Sequence, residues 1–70
     1  MAPRFAEEIA EYLRVNGPTN GVDLGTHFAK WGADEEDLRL ALAWLEREGR
    51  VRRELGRDER YVAVRGPEPT

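Results

Sequence analysis

Six arginines fall within residues 50–65: Arg50, Arg52, Arg53, Arg57, Arg60 and Arg65. Only Glu54, Asp58 and Glu59 oppose them, which leaves the segment at +3. A guanidinium presents a planar fork of donors that fits phosphate and guanine bidentately. Phosphate contacts dominate nucleic-acid affinity because each neutralised phosphate releases counterions. This cluster therefore offers a grip on a nucleic-acid backbone, with Arg39 and Arg47 as further contacts upstream. The competing reading is a solvated surface in which Arg57, Asp58, Glu59 and Arg60 pair among themselves.

The rest of the chain has the opposite sign. Residues 1–49 carry Arg4, Arg14, Lys30, Arg39 and Arg47 against Glu7, Glu8, Glu11, Asp23, Asp34, Glu35, Glu36, Asp37, Glu46 and Glu48. With Glu68 included, the 70 residues have a formal net charge of -3. Other chemistries fail on inventory. Cysteine and serine are both absent, so disulfides, thiolate metal sites and Ser or Cys nucleophiles are excluded. His27 lies one turn from Asp23, but two ligands fall short of the three or four a metal centre needs. The acidic run 34–37 lacks the spaced oxygens and central glycine of a calcium loop and is better explained as helix capping. Glu46 and Glu48 belong to an exposed helix end, which is no setting for acid–base work. No Gly-rich phosphate loop follows a strand. No catalytic residue, metal, cofactor or small-molecule substrate is expected, and the chain does not read as an enzyme.

The elements that must position these charges follow from periodicity. Phe5, Ile9, Tyr12 and Leu13 repeat at helical spacing and predict a helix over 4–16, stopped by Asn16-Gly17-Pro18. Asn20-Gly21 reads as a turn, Asp23 as an N-cap, and Leu24, Phe28 and Trp31 as the core stripe of a short helix over 24–31. Asp34 caps a third helix over 34–48, with Asp37 in the capping-box position and Leu38, Ala41, Leu42 and Leu45 facing inward. After Gly49 the period shortens. Val51 and Leu55 lie on one face of an extended segment, residues 56–59 form a turn, and Tyr61-Val62-Ala63-Val64 forms a returning strand. One domain over 1–65 is expected, followed by a disordered tail over 66–70. No apolar run approaches the ~20 residues of a membrane span. No signal peptide is evident, so a soluble, cytoplasmic protein with no membrane partner is expected.

Leu38-x-x-Ala41-Leu42-x-x-Leu45-x-x-x-Gly49-x-Val51, followed by a basic hairpin ending in Tyr61-Val62-Ala63-Val64, resembles the winged helix-turn-helix superfamily. Gly17-Pro18 before Val22-Asp23-Leu24 looks like the joint between its first two helices. The resemblance implies an α+β, mostly α fold: a three-helix winged helix-turn-helix with a C-terminal two-stranded β-hairpin wing. It also implies duplex DNA as partner, with the third helix in the major groove and the wing on the backbone. Other members of the superfamily dock proteins instead.

Both functions remain open on the residues. A DNA-binding transcriptional regulator would use Arg39, Arg47, Arg50, Arg52, Arg53, Arg57 and Arg60. Against it, the N-terminal turn of the third helix, where base contacts are expected, offers Glu35, Glu36 and Asp37. Those acids, with an outward patch of Glu36, Leu40, Ala43 and Trp44, suit contact with a protein partner: an adaptor, an inhibitor of a nucleic-acid machine, or a homodimer. Trp44 could equally fold down against the first helix or the hairpin.

Overall fold

A computed structural model describes residues 1–64. Arg65 and the expected tail over 66–70 lie outside the described residues. The element order is α1 (Ala6–Asn16), β1 (Thr19–Asn20), α2 (Gly21–Ala29), α3 (Glu35–Arg47), β2 (Val51–Glu54) and β3 (Arg60–Ala63). The three helices and a three-stranded antiparallel sheet make an α+β fold.

α1 buries Ala6, Ile9 and Leu13, one stripe at i, i+3 and i+7. It is entered from Phe5, whose φ of 66° is uncommon for a bulky residue. That backbone accompanies a ring packed edge-on against Phe28, with centroids 6.3 Å apart. α3 starts as its sequence predicts. The Asp37 amide donates to Asp34 Oδ1 at 2.8 Å, and the Asp34 amide donates to Asp37 Oδ2 at 3.2 Å. Leu38, Ala41, Leu42 and Leu45 are buried.

α2 begins three residues before the expected start. Asn20, not Asp23, is its cap, and Asn20 Oδ1 accepts from the Asp23 amide at 2.7 Å. Asp23 instead places its charge in the first turn, where the helix dipole favours it. The C-terminal end also departs from expectation: Trp31 is not core but 68% exposed. The Ala33 amide reaches Phe28 O and the Gly32 amide reaches Ala29 O, the paired bonds of a Schellman closure, with Gly32 at φ 92°. The tightened last turn swings Trp31 off the Leu24–Phe28 stripe, and Ala33 packs into the core in its place.

The expected two-stranded hairpin is the larger part of a three-stranded sheet ordered β1-β3-β2. Thr19 pairs with Tyr61 and Asn20 with Arg60, so β3 is the central strand. β2 meets β3 from Val51↔Ala63 to Glu54↔Arg60. Alternation then places Val51, Arg53, Tyr61 and Ala63 on one face and Arg52, Glu54, Arg60 and Val62 on the other. Leu55 does not share the buried face of Val51. It follows the last paired residue and is 78% exposed. The core joins Ile9 and Leu13 of α1, Leu24 and Phe28 of α2, the inward stripe of α3 and Val51.

Candidate binding surfaces

The hairpin arginines divide into two groups. Arg50, at the root of β2, reaches back to α1 and forms a two-pronged pair with Glu7: Nη1 donates to Oε2 and Nη2 to Oε1, each at 2.8 Å. The pair holds the Glu7 carboxyl below the usual carboxylate range and pushes the Arg50 guanidinium up. Arg52 donates to Glu54 at 3.0 Å, and Arg53 lies 3.3 Å from Glu59. Arg57 and Arg60 are exposed and have no carboxylate within 4.0 Å among the described residues. Pairing of residues 57–60 among themselves, the competing reading, is not what is seen: the ion pairs run along β2, from β2 to the hairpin loop and from Arg50 to α1. Tyr61, within β3, is partly buried, and that burial pushes its phenol up.

On α3, Glu36, Arg39, Leu40, Ala43 and Arg47 are all exposed, as the helical wheel predicts. Arg39 is drawn to Glu36, one turn back, at 2.7 Å. Arg47 has no carboxylate within 4.0 Å among the described residues. Leu40 is 51% exposed, but Trp44 is half-buried and packs on the core. The aromatic part of the expected Leu40/Trp44 patch is therefore mainly structural.

Two grooves emerge that the sequence reading did not contain. The first, of about 960 Å³, lies between α2, α3 and the hairpin. Its apolar lining comes from buried Leu38 and Leu42, half-buried Tyr61, and exposed Val22 and Ala29. Asp34 and Glu35 from the start of α3 and Asp58 and Glu59 from the hairpin loop line it, against the single guanidinium of Arg39. Folding thus brings together two acidic pairs that are far apart in sequence. Across residues 34–48, six carboxylates (Asp34, Glu35, Glu36, Asp37, Glu46, Glu48) outweigh Arg39 and Arg47.

The second groove, of about 750 Å³, runs along α1 and the end of α2. Tyr12 and His27 pack at a tilt of 39° with ring centroids 4.4 Å apart, and Phe28 meets both edge-on at 5.7 and 4.9 Å. Trp31 and Val15 flank these rings, both well exposed, and Glu7, Glu8 and Glu11 form the rim. His27 is accordingly part of an aromatic cluster. A local signal for Trp31 was present in Gly32, since a glycine that closes a helix ends its regular period there. Val15 follows Glu8 and Glu11 along the outward face of α1 at helical spacing.

Among the described residues, no group of three or more His, Cys, Asp or Glu side chains is placed to hold a metal ion. No helix among them is long and apolar enough to cross a membrane. No protein-family model, curated protein or solved structure matches the chain.

Proposed function

We propose that the chain is a winged-helix module that docks onto a protein partner. A basic segment bearing an apolar anchor would enter the groove between α2, α3 and the hairpin. Three helices with a C-terminal hairpin packed on them agree with the arrangement the resemblance implies. The sign of the groove carries the functional reading. A duplex approached by α3 and hairpin together would bring phosphates toward Asp34, Glu35, Asp58 and Glu59. A carboxylate ~8 Å from a phosphate repels it by about 0.5–2 kcal/mol, depending on how much water intervenes. Three such repulsions, from Asp34, Glu35 and Asp58, oppose the contacts Arg39 could make, Glu59 being offset by Arg53. A lysine- or arginine-bearing segment meets the same acids favourably and can bury leucine-sized side chains on the apolar lining.

Anisotropy titrations of a labelled Lys/Leu-rich peptide and of random duplex DNA, at one low salt concentration, test the reading. The peptide is expected to bind more tightly. Glu35→Lys with Asp58→Lys should weaken peptide binding by about tenfold per charge, roughly 1.4 kcal/mol each, and strengthen duplex binding. Tighter duplex binding by the wild type, unaffected by the reversals, would overturn it.

A second reading, a DNA-binding regulator, is favoured by one observation: Arg47, Arg57 and Arg60 are exposed and without ion partners among the described residues. Arg52 and Arg53 could join them, since surface pairs are worth only about 0–1 kcal/mol. On that reading Arg57→Ala and Arg60→Ala lower duplex affinity and flatten its salt dependence by about one unit of slope each.

A further inference from the structure

We propose that two copies of this chain join edge to edge through β2, antiparallel about a two-fold axis at Arg53, so that their sheets run on as one. Hydrogen-bond phase decides which groups are free to do this. The Val64 amide donates to Arg50 O at 2.9 Å, so residues 50 and 64 are a bonded pair of the ladder. Bonded and non-bonded pairs alternate in an antiparallel ladder, which makes Arg52–Val62 and Glu54–Arg60 the next bonded pairs. Val51 and Arg53 therefore turn their N–H and C=O groups away from β3, and Leu55 continues the phase. β2 is an edge strand with no strand beyond it. Among the described residues, no other backbone hydrogen bond takes up Val51, Arg53 or Leu55. The opposite edge, β1, is only 2 residues long and offers no comparable template. Proteins blunt such edges with proline, bulges, cover or charge. Val51–Glu54 has no proline or glycine and pairs with β3 in unbroken register, so charge is the only one of these devices within the strand.

The order of those charges selects the occupant. Outward groups must meet outward groups, so a second β2 pairs odd residue with odd residue. Centred on Arg53, this sets each Arg53 against the other, Val51 opposite Leu55, and Arg52 opposite Glu54 on both sides of the axis. The Arg52–Glu54 pairs fall at non-bonded sites, where cross-strand side chains come closest. Sliding the copies by two residues either way would set Arg52 against Arg52 or Glu54 against Glu54. One register is thus favoured and its neighbours penalised, the self-complementarity that a two-fold contact requires. Arg52 and Glu54 already lie 3.0 Å apart along their own strand. Across the axis each gains a second neighbour of opposite sign, giving four charges that alternate around it. Leu55, left 78% exposed where β2 ends, is brought opposite Val51. The cost falls on the axis, where two Arg53 side chains meet, each with Glu59 of its own copy 3.3 Å away. An unrelated strand would satisfy the same hydrogen bonds but has no reason to carry opposite charges at the matching spacing, whereas this chain supplies them itself. None of residues 51–55 lines the α2–α3–hairpin groove, so the contact stands or falls independently of the peptide-docking reading.

Sedimentation velocity on the purified full chain, run from micromolar to near-millimolar concentration, tests the proposal. The wild type is expected to pass from monomer to dimer and stop there. Arg52→Glu and Glu54→Arg each place like charges opposite one another and should each weaken the dimer by about tenfold. Mixed in equal amounts, these two variants should recover a heterodimer, because each supplies the charges the other lacks. The double exchange, Arg52→Glu with Glu54→Arg, should restore the dimer within one chain. Arg53→Thr removes the like-charged pair on the axis and should tighten association by about threefold. Circular dichroism checks that each variant is folded. Arg53→Pro is the second means of blocking the edge, since the N–H it removes faces away from β3. A wild type monomeric at every concentration would overturn the proposal. So would a dimer indifferent to the single charge changes, a mixture that fails to associate, or an Arg53→Thr variant that binds itself more weakly.

Discussion

The first turn of α3 and the β2–β3 hairpin both concentrate charge of one sign, and they use it differently. In α3 the acids serve the backbone: Asp34 and Asp37 occupy each other's amides in a capping box, and Glu35 and Glu36 sit where the helix dipole favours them. In the hairpin the arginines serve the tertiary structure: Arg50 clamps α1 through Glu7, and Arg52 and Arg53 hold carboxylates on their own strands and loop. The lesson is that charge density along a chain is not charge density on a surface. Glu36 apart, which Arg39 opposes, the acids at the start of α3 have no cationic partner within 4.0 Å among the described residues, so most of their field remains. Three of the hairpin's arginines are opposed locally, so much of theirs does not.

The helical body should also be the more stable of the two regions, and substitutions can break or sharpen that contrast. The largest effect is expected for Leu45→Ala, which empties a fully buried site in α3. A loss of about 2–5 kcal/mol is expected, comparable to the whole stability of a domain this small. Val51→Ala, at the hairpin root, should cost about 2 kcal/mol. Urea unfolding followed by circular dichroism ranks the two, and equal losses would mean that the hairpin is as firmly held as the body. Next, Asp34→Ala removes half the capping box and should lower stability by about 1 kcal/mol. In the hairpin, the analogous loss of one exposed ion-pair partner, Glu54→Ala, should be the smaller of the two.

Acid should separate the regions further. The Glu7 carboxyl is held below its unfolded range by Arg50, so the unfolded chain binds more protons across that interval. The stabilisation is present above the unfolded carboxylate range and is lost as pH falls through the lower, folded pKa. Glu7→Gln should flatten that part of the melting-temperature profile while leaving the neutral-pH fold intact. The smallest effect belongs to Arg57→Ala and Arg60→Ala, which should move stability by no more than about 0.5 kcal/mol. A larger change in urea midpoint would show that these side chains also hold the hairpin together.

What could be read in the chain beforehand was local. The capping pair Asp34/Asp37, the stop at Gly49 and the buried stripe Leu38–Leu45 all depend on neighbours within a turn or two, and the structure has them as expected. β1 was not legible because two residues carry no period, and their partners are Tyr61 and Arg60, some forty positions away. Trp31 was misread because a stripe at i, i+4, i+7 assumes a helix that keeps its pitch, and α2 tightens before reaching it. Leu55 was misread because alternation was carried one residue past the end of pairing. The grooves were out of reach for a related reason. Nothing in the sequence says that Asp58 and Glu59 will settle opposite Asp34 and Glu35, or that Arg50 will find Glu7 at a separation of 43 residues.

The central position of β3 bears on how the molecule comes into being. Thr19–Asn20 and Val51–Glu54 have no strand to lean on until residues 60–63 arrive between them. On the ribosome, the helices can emerge and begin to cluster early, while the sheet must wait for its last strand and then close all at once. Proteolytic trimming that reached residue 60 from the C-terminal side would undo both pairings together rather than peel away one edge.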